Sequence, residues 1–141
     1  MKKFEFLSHT ADVKIRVYGK NVKEIINNSL LALKGFWKPK LTKIKIEREI
    51  KVESNNEVNL LIDFLSEVLA ETYIEKAIFV KFLPRINADF HADKRGLYFL
   101  SGKIIGYKFT SLSKDIKAIT YHQAIFKKIN EKYIFEFIVD I

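Results

Sequence analysis

Two segments with helical spacing of apolar residues lie among segments in which apolar and charged residues alternate. This arrangement limits the fold more than any other feature of the sequence. Apolar residues recur at helical spacing over roughly residues 22–34 and again from about Ser54 to Tyr73. Between them, Leu41–Val52 alternates between apolar residues and charges of mixed sign, and from Ala77 onward every segment is strand-like. The pattern predicts an α+β domain in which two helices pack on a mostly antiparallel β-sheet system.

Capping residues set the predicted ends of both helices. Asn21, with a glutamate three residues later, has the spacing of an N-cap and its capping-box partner, and Gly35 stands where a helix usually ends. Ser54 and Glu57 have the same capping-box spacing, so we expect the second helix to begin there. In the alternating strand between the helices, Arg48 interrupts the apolar side, and we expect it near an edge or a bulge.

The remaining segments predict strands separated by turn residues. Asn130 and Glu131 divide the last two, which form a predicted hairpin. No repeat or linker interrupts the chain, so we expect a single domain over residues 1–141. The predicted strands, in chain order, are Lys3–Leu7, Val13–Tyr18, Leu41–Val52, Ile78–Leu83, Ile86–His91, Leu97–Ile105, Asp115–Thr120, Tyr121–Lys128 and Tyr133–Ile141.

Composition excludes several classes of site. The chain contains no cysteine, which excludes disulfides, thiolate metal sites and cysteine nucleophiles. No apolar run reaches the roughly 18–20 residues that span a membrane, and no signal-peptide core follows the first residues. We therefore expect a cytoplasmic protein with no membrane association.

The formal net charge of +8 favours anionic partners. Two interpretations follow from it. The protein either binds nucleic acid such as RNA directly or associates with an acidic protein that handles nucleic acid. Lysines spread evenly over solvent-exposed faces explain the same surplus without any nucleic-acid contact.

Polar residues at the two ends of the chain suggest a joint site. Strand alternation places Val13 and Ile15 on one face and begins the opposite, exposed face with Asp12. The last predicted strand ends on Asp140, one residue before the free carboxylate of Ile141. If the two ends meet, three carboxylates gather, and these are ligands that a hard divalent cation prefers. Without that meeting, Asp12 is a turn residue and Asp140 only ends a strand.

Three strings in the sequence resemble signatures of one known family. His9–Val13 (HTADV) resembles an N-terminal HTAD signature, Lys117–His122 (KAITYH) resembles a KAVTYH string, and Val139–Ile141 resembles a terminal DI. With the order of the predicted elements, the whole chain resembles the archease family. It differs at Lys103, where the family often has an acidic residue after the glycine.

The resemblance implies an accessory, chaperone-like protein rather than an enzyme, with no catalytic residues of its own. Its expected partner is the GTP-dependent RNA ligase of the RtcB type, which joins tRNA halves in tRNA splicing, so tRNA is an indirect partner. The expected effect is to promote guanylylation and turnover of that ligase. The resemblance also implies one divalent cation, calcium in the first instance with magnesium or manganese as alternatives. Its ligands would be Asp12, Asp140 and Ile141.

Three further polar residues lie in the matching strings. His9, Lys117 and His122 are candidates for supporting the cation ligands or for contacting the partner, with hydrogen-bonded turn histidines and a solvated lysine as the alternatives. His91 is expected to be an exposed turn residue. A metal-dependent phosphodiesterase built on Asp12, Asp140 and His122 is a third candidate function, although the sequence offers no second acidic cluster for a two-metal centre.

Overall fold

The computed structural model describes residues 2–7, 12–85 and 92–141. The predicted strand Ile86–His91, together with His9 and His91, lies outside the described residues. Within them the chain forms seven strands and two helices. In chain order these are β1 (Phe4–Leu7), β2 (Asp12–Gly19), α1 (Val22–Trp37), β3 (Lys40–Ser54), α2 (Glu57–Glu75), β4 (Ala77–Pro84), β5 (Tyr98–Ser111), β6 (Ala118–Ile129) and β7 (Lys132–Asp140).

The strands form two antiparallel sheets, and both helices contact both sheets. The larger sheet has the order β1-β2-β7-β6 and the smaller one the order β3-β5-β4. Helix α1 packs against β1, β2 and β7 of the larger sheet and against β4, while α2 packs against β6 and all three strands of the smaller sheet. One core of buried apolar side chains therefore joins the two sheets through the helices. The α+β fold predicted from the sequence is confirmed.

Helix α1 starts as predicted but does not end at Gly35. The Asn21 side chain accepts a hydrogen bond from the Glu24 N–H at 2.9 Å. The helix continues through Gly35 to Trp37, and Lys38 closes it in a left-handed conformation with φ of 47°. Gly35 instead makes room for neighbouring rings, because a Cβ there would lie 3.3 Å from Cζ of Phe4.

Helix α2 begins two residues later than predicted. The N-cap is Asn56, whose side chain accepts a hydrogen bond from the Asn59 N–H at 2.8 Å, and Ser54 is the last residue of β3. An asparagine in extended conformation caps as well as a serine does, so sequence spacing alone did not separate the two. Neither helix in the described part of the chain combines the length and the apolar character needed to cross a membrane.

The two strands predicted over Asp115–Thr120 and Tyr121–Lys128 are one strand, β6, with an irregularity inside it. The register against β7 shifts between Thr120 and Ile125, and Gln123 within the shift has φ of 55°. The predicted hairpin between β6 and β7 is confirmed. Its turn residues Asn130 and Glu131 both have positive φ, as tight hairpin turns of type I′ require.

Arg48 lies on the edge strand β3 of the smaller sheet, as expected, but in a regular stretch of its pairing with β5. Its guanidinium lies 2.6 Å from the carboxylate of Glu75 at the end of α2. This contact explains how a charged residue stands on the side of β3 that carries buried Ile46 and Ile50. Lys103, where the sequence departs from the family signature, lies on the outer face of this sheet opposite Glu49.

The two faces of β2 follow the predicted alternation. Ile15 and Val17 are fully buried against the helices. Asp12, Lys14 and Arg16 therefore point to the opposite, outer face of the larger sheet. This face carries the residues considered next.

Candidate cation and partner site at the paired chain ends

The first and last parts of the chain meet in the centre of the larger sheet. Strands β2 and β7 are antiparallel neighbours over eight residue pairs, from Gly19 opposite Tyr133 to Asp12 opposite Asp140. The geometric expectation that the two ends come together is thus confirmed. The register follows from the core, because Ile15 and Val17 face Phe137 and Phe135, and all four side chains are fully buried.

Asp12 and Asp140 stand directly opposite each other on the outer face. Asp12 is half-buried, Asp140 is exposed, and Ile141 is 40% exposed. Side chains of directly opposed strand residues have Cβ atoms about 4.5–5.5 Å apart, and like charges in this position destabilise a sheet. Among the described residues, the Asp140 carboxylate has no hydrogen-bond or ion-pair partner. Two carboxylates therefore stand opposite each other at this end of the sheet, which we call the acidic end.

Four positions along the same strand pair, the outer face carries charges of opposite sign. Arg16 is the partner of Glu136, and its Nε donates to the Glu136 carboxylate at 2.7 Å. Arg16 also donates to Glu5 of β1 at 3.1 Å, and the Tyr18 hydroxyl donates to the same carboxylate at 2.9 Å. Hydrogen bonds with Tyr18 and Glu136 raise the pKa of Arg16 further above its already high value. The result is a compensated network that leaves Glu136 only 8% exposed.

Hydrogen bonds from Lys2 and then from Tyr18 lower the pKa of Glu5 below its ordinary value of 4.5. The Glu5 carboxylate is therefore ionised at neutral pH, as its hydrogen bond with the Arg16 guanidinium requires. The network is distinct from the acidic pair at the end of the strands.

Lys117 is held beside the acidic end by its own backbone. Its N–H donates to the Asp140 carbonyl oxygen at 2.7 Å, just before β6 begins opposite Asp140. The preceding residue, Ile116, is buried, and its N–H donates to the Tyr73 hydroxyl at 2.9 Å. Lys117 itself is exposed. The structure thus brings Asp12, Asp140, Ile141 and Lys117 together.

His122 is exposed in the irregular part of β6, between the positions that pair with Ile138 and Glu136. It lies at least two residue pairs along β7 from Asp140, which is about 7 Å along a strand. His122 therefore lies on the same strand as the residue that pairs with Asp140, but it is not itself opposite Asp140. His9 lies outside the described residues.

The predicted donor set fits a hard cation in chemistry. It consists of oxygen atoms alone, two side-chain carboxylates and one terminal carboxylate, which is the set that calcium and magnesium accept. In the described part of the chain, no three histidine, cysteine, aspartate or glutamate side chains cluster as a metal site. The third donor of the predicted set is the carboxylate of Ile141, which is a main-chain group and is therefore not counted among those side chains.

Two residues that shape this end of the molecule have roles that the sequence pattern did not predict. Tyr73 accepts from Trp37 Nε1 at 3.2 Å and from the Ile116 N–H, so it anchors the connection that carries Lys117. Gly35 lies inside a helix and adjoins the rings of Phe4 and Phe6. A glycine within a helical pattern was the available signal for a packing role, but its position near the helix end favoured a stop.

Known proteins resemble this chain over its full length. The family model described as the archease protein family (MTH1598/TM1083) matches residues 4–141. The chain is 34% identical to Protein archease of Sulfurisphaera tokodaii over 149 aligned positions, which cover all of both chains. It is 35% identical to Protein archease of Saccharolobus islandicus, again over the whole of both chains.

Two solved structures share the fold. The solution structure of Methanobacterium thermoautotrophicum protein 1598 matches with a TM-score of 0.78 at 26% identity and full coverage of both chains. The crystal structure of an archease from Thermotoga maritima, described as a possible chaperone, matches with a TM-score of 0.70 at 18% identity, covering 96% of this chain and 94% of that one. Together with the family model and the full-length relatives, these matches show that the chain belongs to the archease family.

Proposed function

We propose that this archease is an accessory protein that activates a GTP-dependent RNA ligase of the RtcB type, promoting guanylylation and turnover of the ligase in tRNA splicing. It has no catalytic residues of its own in this proposal. One divalent cation is held by Asp12, Asp140 and the terminal carboxylate of Ile141. Membership of the archease family supports the accessory role. The observation that supports the cation site is the register of β2 and β7, which sets Asp12 directly opposite Asp140.

The cation is expected to neutralise the opposed carboxylates and so define the shape and charge of this end of the sheet. Asp12 and Asp140 supply the side-chain oxygens in this proposal, and the carboxylate of Ile141 is the proposed third donor. Lys117, held by its backbone to the Asp140 carbonyl, is placed to contact a phosphate or an acidic group of the partner. Calcium is the proposed ion for this all-oxygen donor set, with magnesium or manganese as the alternatives.

A multiple-turnover RNA ligation assay tests the proposal. The ligase from the same genome is assayed with GTP at a ligase concentration well below that of its RNA substrate. The assay is run with the ligase alone and with this protein added. Asp12→Ala, Asp140→Ala and a chain extended beyond Ile141 should each lose most of the stimulation. Glu67→Ala is the matched control, because Glu67 is an exposed carboxylate on α2 and is not one of the proposed cation ligands.

Two results would contradict the proposal in different ways. Full stimulation by all three altered chains would remove the acidic end from the mechanism. Absence of stimulation by the unaltered protein would remove the accessory role itself. Binding of tRNA fragments by the isolated protein, weakening steeply with salt, would instead favour a basic RNA-binding module.

A further inference from the structure

An apolar groove opens beside the paired chain ends, between β1 and the last turn of α1. It encloses about 320 Å³, and its walls include Phe6 and Leu7 of β1, Val13 of β2 and Phe36 of α1. Phe6 is 41% exposed, although its neighbours along the wall are mostly covered. An exposed aromatic ring within a concave apolar surface is typical of a place where a partner is bound.

Gly35 keeps the groove open. It lines the groove from within α1, and a Cβ there would lie 3.3 Å from Cζ of Phe4 and 3.7 Å from Cζ of Phe6. Glycine weakens a helix interior relative to alanine, so local helix stability does not favour it at this position. The space that it leaves is what allows Phe6 to pack 5.5 Å from Phe4 and 6.1 Å from Phe36, measured between ring centroids.

The rim of the groove is positive. Lys38 and Lys114 both line it, and Nζ of Lys114 lies 5.1 Å from the centroid of Phe36. Neither lysine forms an ion pair with a carboxylate of the described residues. Lys114 is held in place by its neighbour Ser113, whose N–H donates to the Trp37 carbonyl oxygen at 2.9 Å. The groove thus offers an apolar interior with two lysines at its mouth.

We propose that this groove receives an apolar side chain from an acidic surface of the RNA ligase. The identity of that partner rests on the function proposed above. An aromatic or large aliphatic anchor in a pocket supplies most of the affinity in many interfaces, and complementary charges around it set orientation and association rate. Val13 follows Asp12 directly in the chain, so the groove lies at the same end of the larger sheet as the opposed carboxylates, on the opposite face of β2.

The chemistry of the groove favours a protein side chain over an RNA base. Apart from the two lysines, no side chain in the described lining can hydrogen-bond to the edge of a base. RNA-binding surfaces stack bases on open faces of aromatic rings. Here Phe36 is only 5% exposed, and Lys114 already lies over its ring.

The first test fills the groove from within. Gly35→Leu places a side chain into the space beside Phe4 and Phe6, and leucine is a good helix former. Affinity for the ligase, measured by calorimetric titration, should fall on the order of 30-fold. Calcium affinity, measured on the same variant, should stay close to that of the unaltered protein, because the acidic end is not touched. Circular dichroism checks that the variant is folded, since the new side chain crowds the ring of Phe4.

The second test changes the rim without changing the interior. The double variant Lys38→Glu with Lys114→Glu should weaken ligase binding about tenfold and should flatten its dependence on salt. The matched control is Lys23→Glu with Lys43→Glu, which makes the same change in charge at exposed positions on α1 and β3 away from the groove. This control should bind the ligase like the unaltered protein.

The outcomes separate the groove from the proposed function. If Gly35→Leu and the Lys38/Lys114 variant both bind the ligase normally, the groove is not the docking site, while the accessory role stands. If the unaltered protein does not bind the ligase, both proposals are overturned. If Gly35→Leu loses affinity for tRNA fragments in the absence of ligase, the occupant is RNA, and the protein anchor is overturned.

Discussion

Two positions on the strand pair β2 and β7 differ in the charges that face each other. In the middle of β2 and β7, Arg16 faces Glu136 at 2.7 Å, and the pair is tied further to Glu5. At the end of the same strands, Asp12 faces Asp140, and like charges stand where opposite charges would be expected. Both positions share one sheet, one face and one register. The difference shows that the middle position has a compensated charge that supports the fold, and it is the reason why the end position is the one proposed to bind a cation.

The largest effect should come from removing a carboxylate at the acidic end. Asp140→Ala should raise the dissociation constant for calcium on the order of 100-fold, since a direct ligand matters at least as much as the groups that support one. Isothermal titration calorimetry measures it. Glu67→Ala should leave calcium binding unchanged, and an unchanged affinity in Asp140→Ala would show that no cation is bound there.

The second effect should come from breaking the compensated pair. Arg16→Ala leaves the Glu136 carboxylate, which is 8% exposed, without its charged donor. The free energy of unfolding should fall by about 2 kcal/mol, as for other hydrogen bonds to charged groups. Denaturant unfolding followed by circular dichroism measures this change. Calcium affinity should be unaltered, and a large loss of affinity would mean that the two positions are coupled.

A third effect concerns the end of the main chain. Extending the protein by a short glycine–serine segment moves the terminal carboxylate away from Asp140 without changing a side chain. Calcium affinity should fall about tenfold, because the charge of the ligand set tunes affinity in oxygen sites. Thermal unfolding without calcium should not change. An extended chain that binds calcium normally would exclude the terminal carboxylate as a ligand.

A smaller effect is expected in protein stripped of metal by a chelator. Asp140→Asn removes one of two opposed like charges, so the free energy of unfolding should rise by about 0.5 kcal/mol. Adding calcium should reverse the order, with the unaltered protein becoming the more stable. Glu67→Gln, which removes a charge elsewhere, serves as the control, and a destabilised Asp140→Asn in chelator would contradict repulsion at this position.

The smallest expected effect is a dependence on pH at the middle position. The pKa of Glu5 lies below its ordinary value of 4.5, because Lys2 and then Tyr18 donate hydrogen bonds to its carboxylate. A lowered pKa in the folded state stabilises the protein above pH 4.5, and this contribution is lost as the pH falls through the folded-state value. Glu5→Gln should therefore be less stable at pH 7 and should converge with the unaltered protein in acid. Melting curves across pH measure this, and an equal difference at all pH values would contradict it.

Local patterns in the sequence predicted the elements well because they depend on near neighbours. The alternation of β2 correctly assigned Ile15 and Val17 to the core, and Asn21 correctly marked the start of α1. Errors arose where two local signals competed. Ser54 and Asn56 are both good N-caps, and only the structure shows that Asn56 is used.

Gly35 shows a second kind of error. A glycine near the end of a helical pattern usually marks the end of the helix. Here the rings of Phe4 and Phe6 come from another part of the chain and use the space that the glycine leaves. Long-range packing therefore overrode the local signal, and the apolar groove beside Phe36 was invisible to any reading of the sequence alone.

The sequence by itself determined the class of fold, the exposed face on which Asp12 stands, and membership of a family through the strings at His9–Val13, Lys117–His122 and Val139–Ile141. Only the tertiary structure decided that Asp12 lies opposite Asp140, while Arg16 lies opposite Glu136. Alternation fixes a face, because it depends on neighbouring residues. Register between strands as far apart in sequence as Arg16 and Glu136 is set by how Ile15 and Val17 pack against Phe137 and Phe135 in the core.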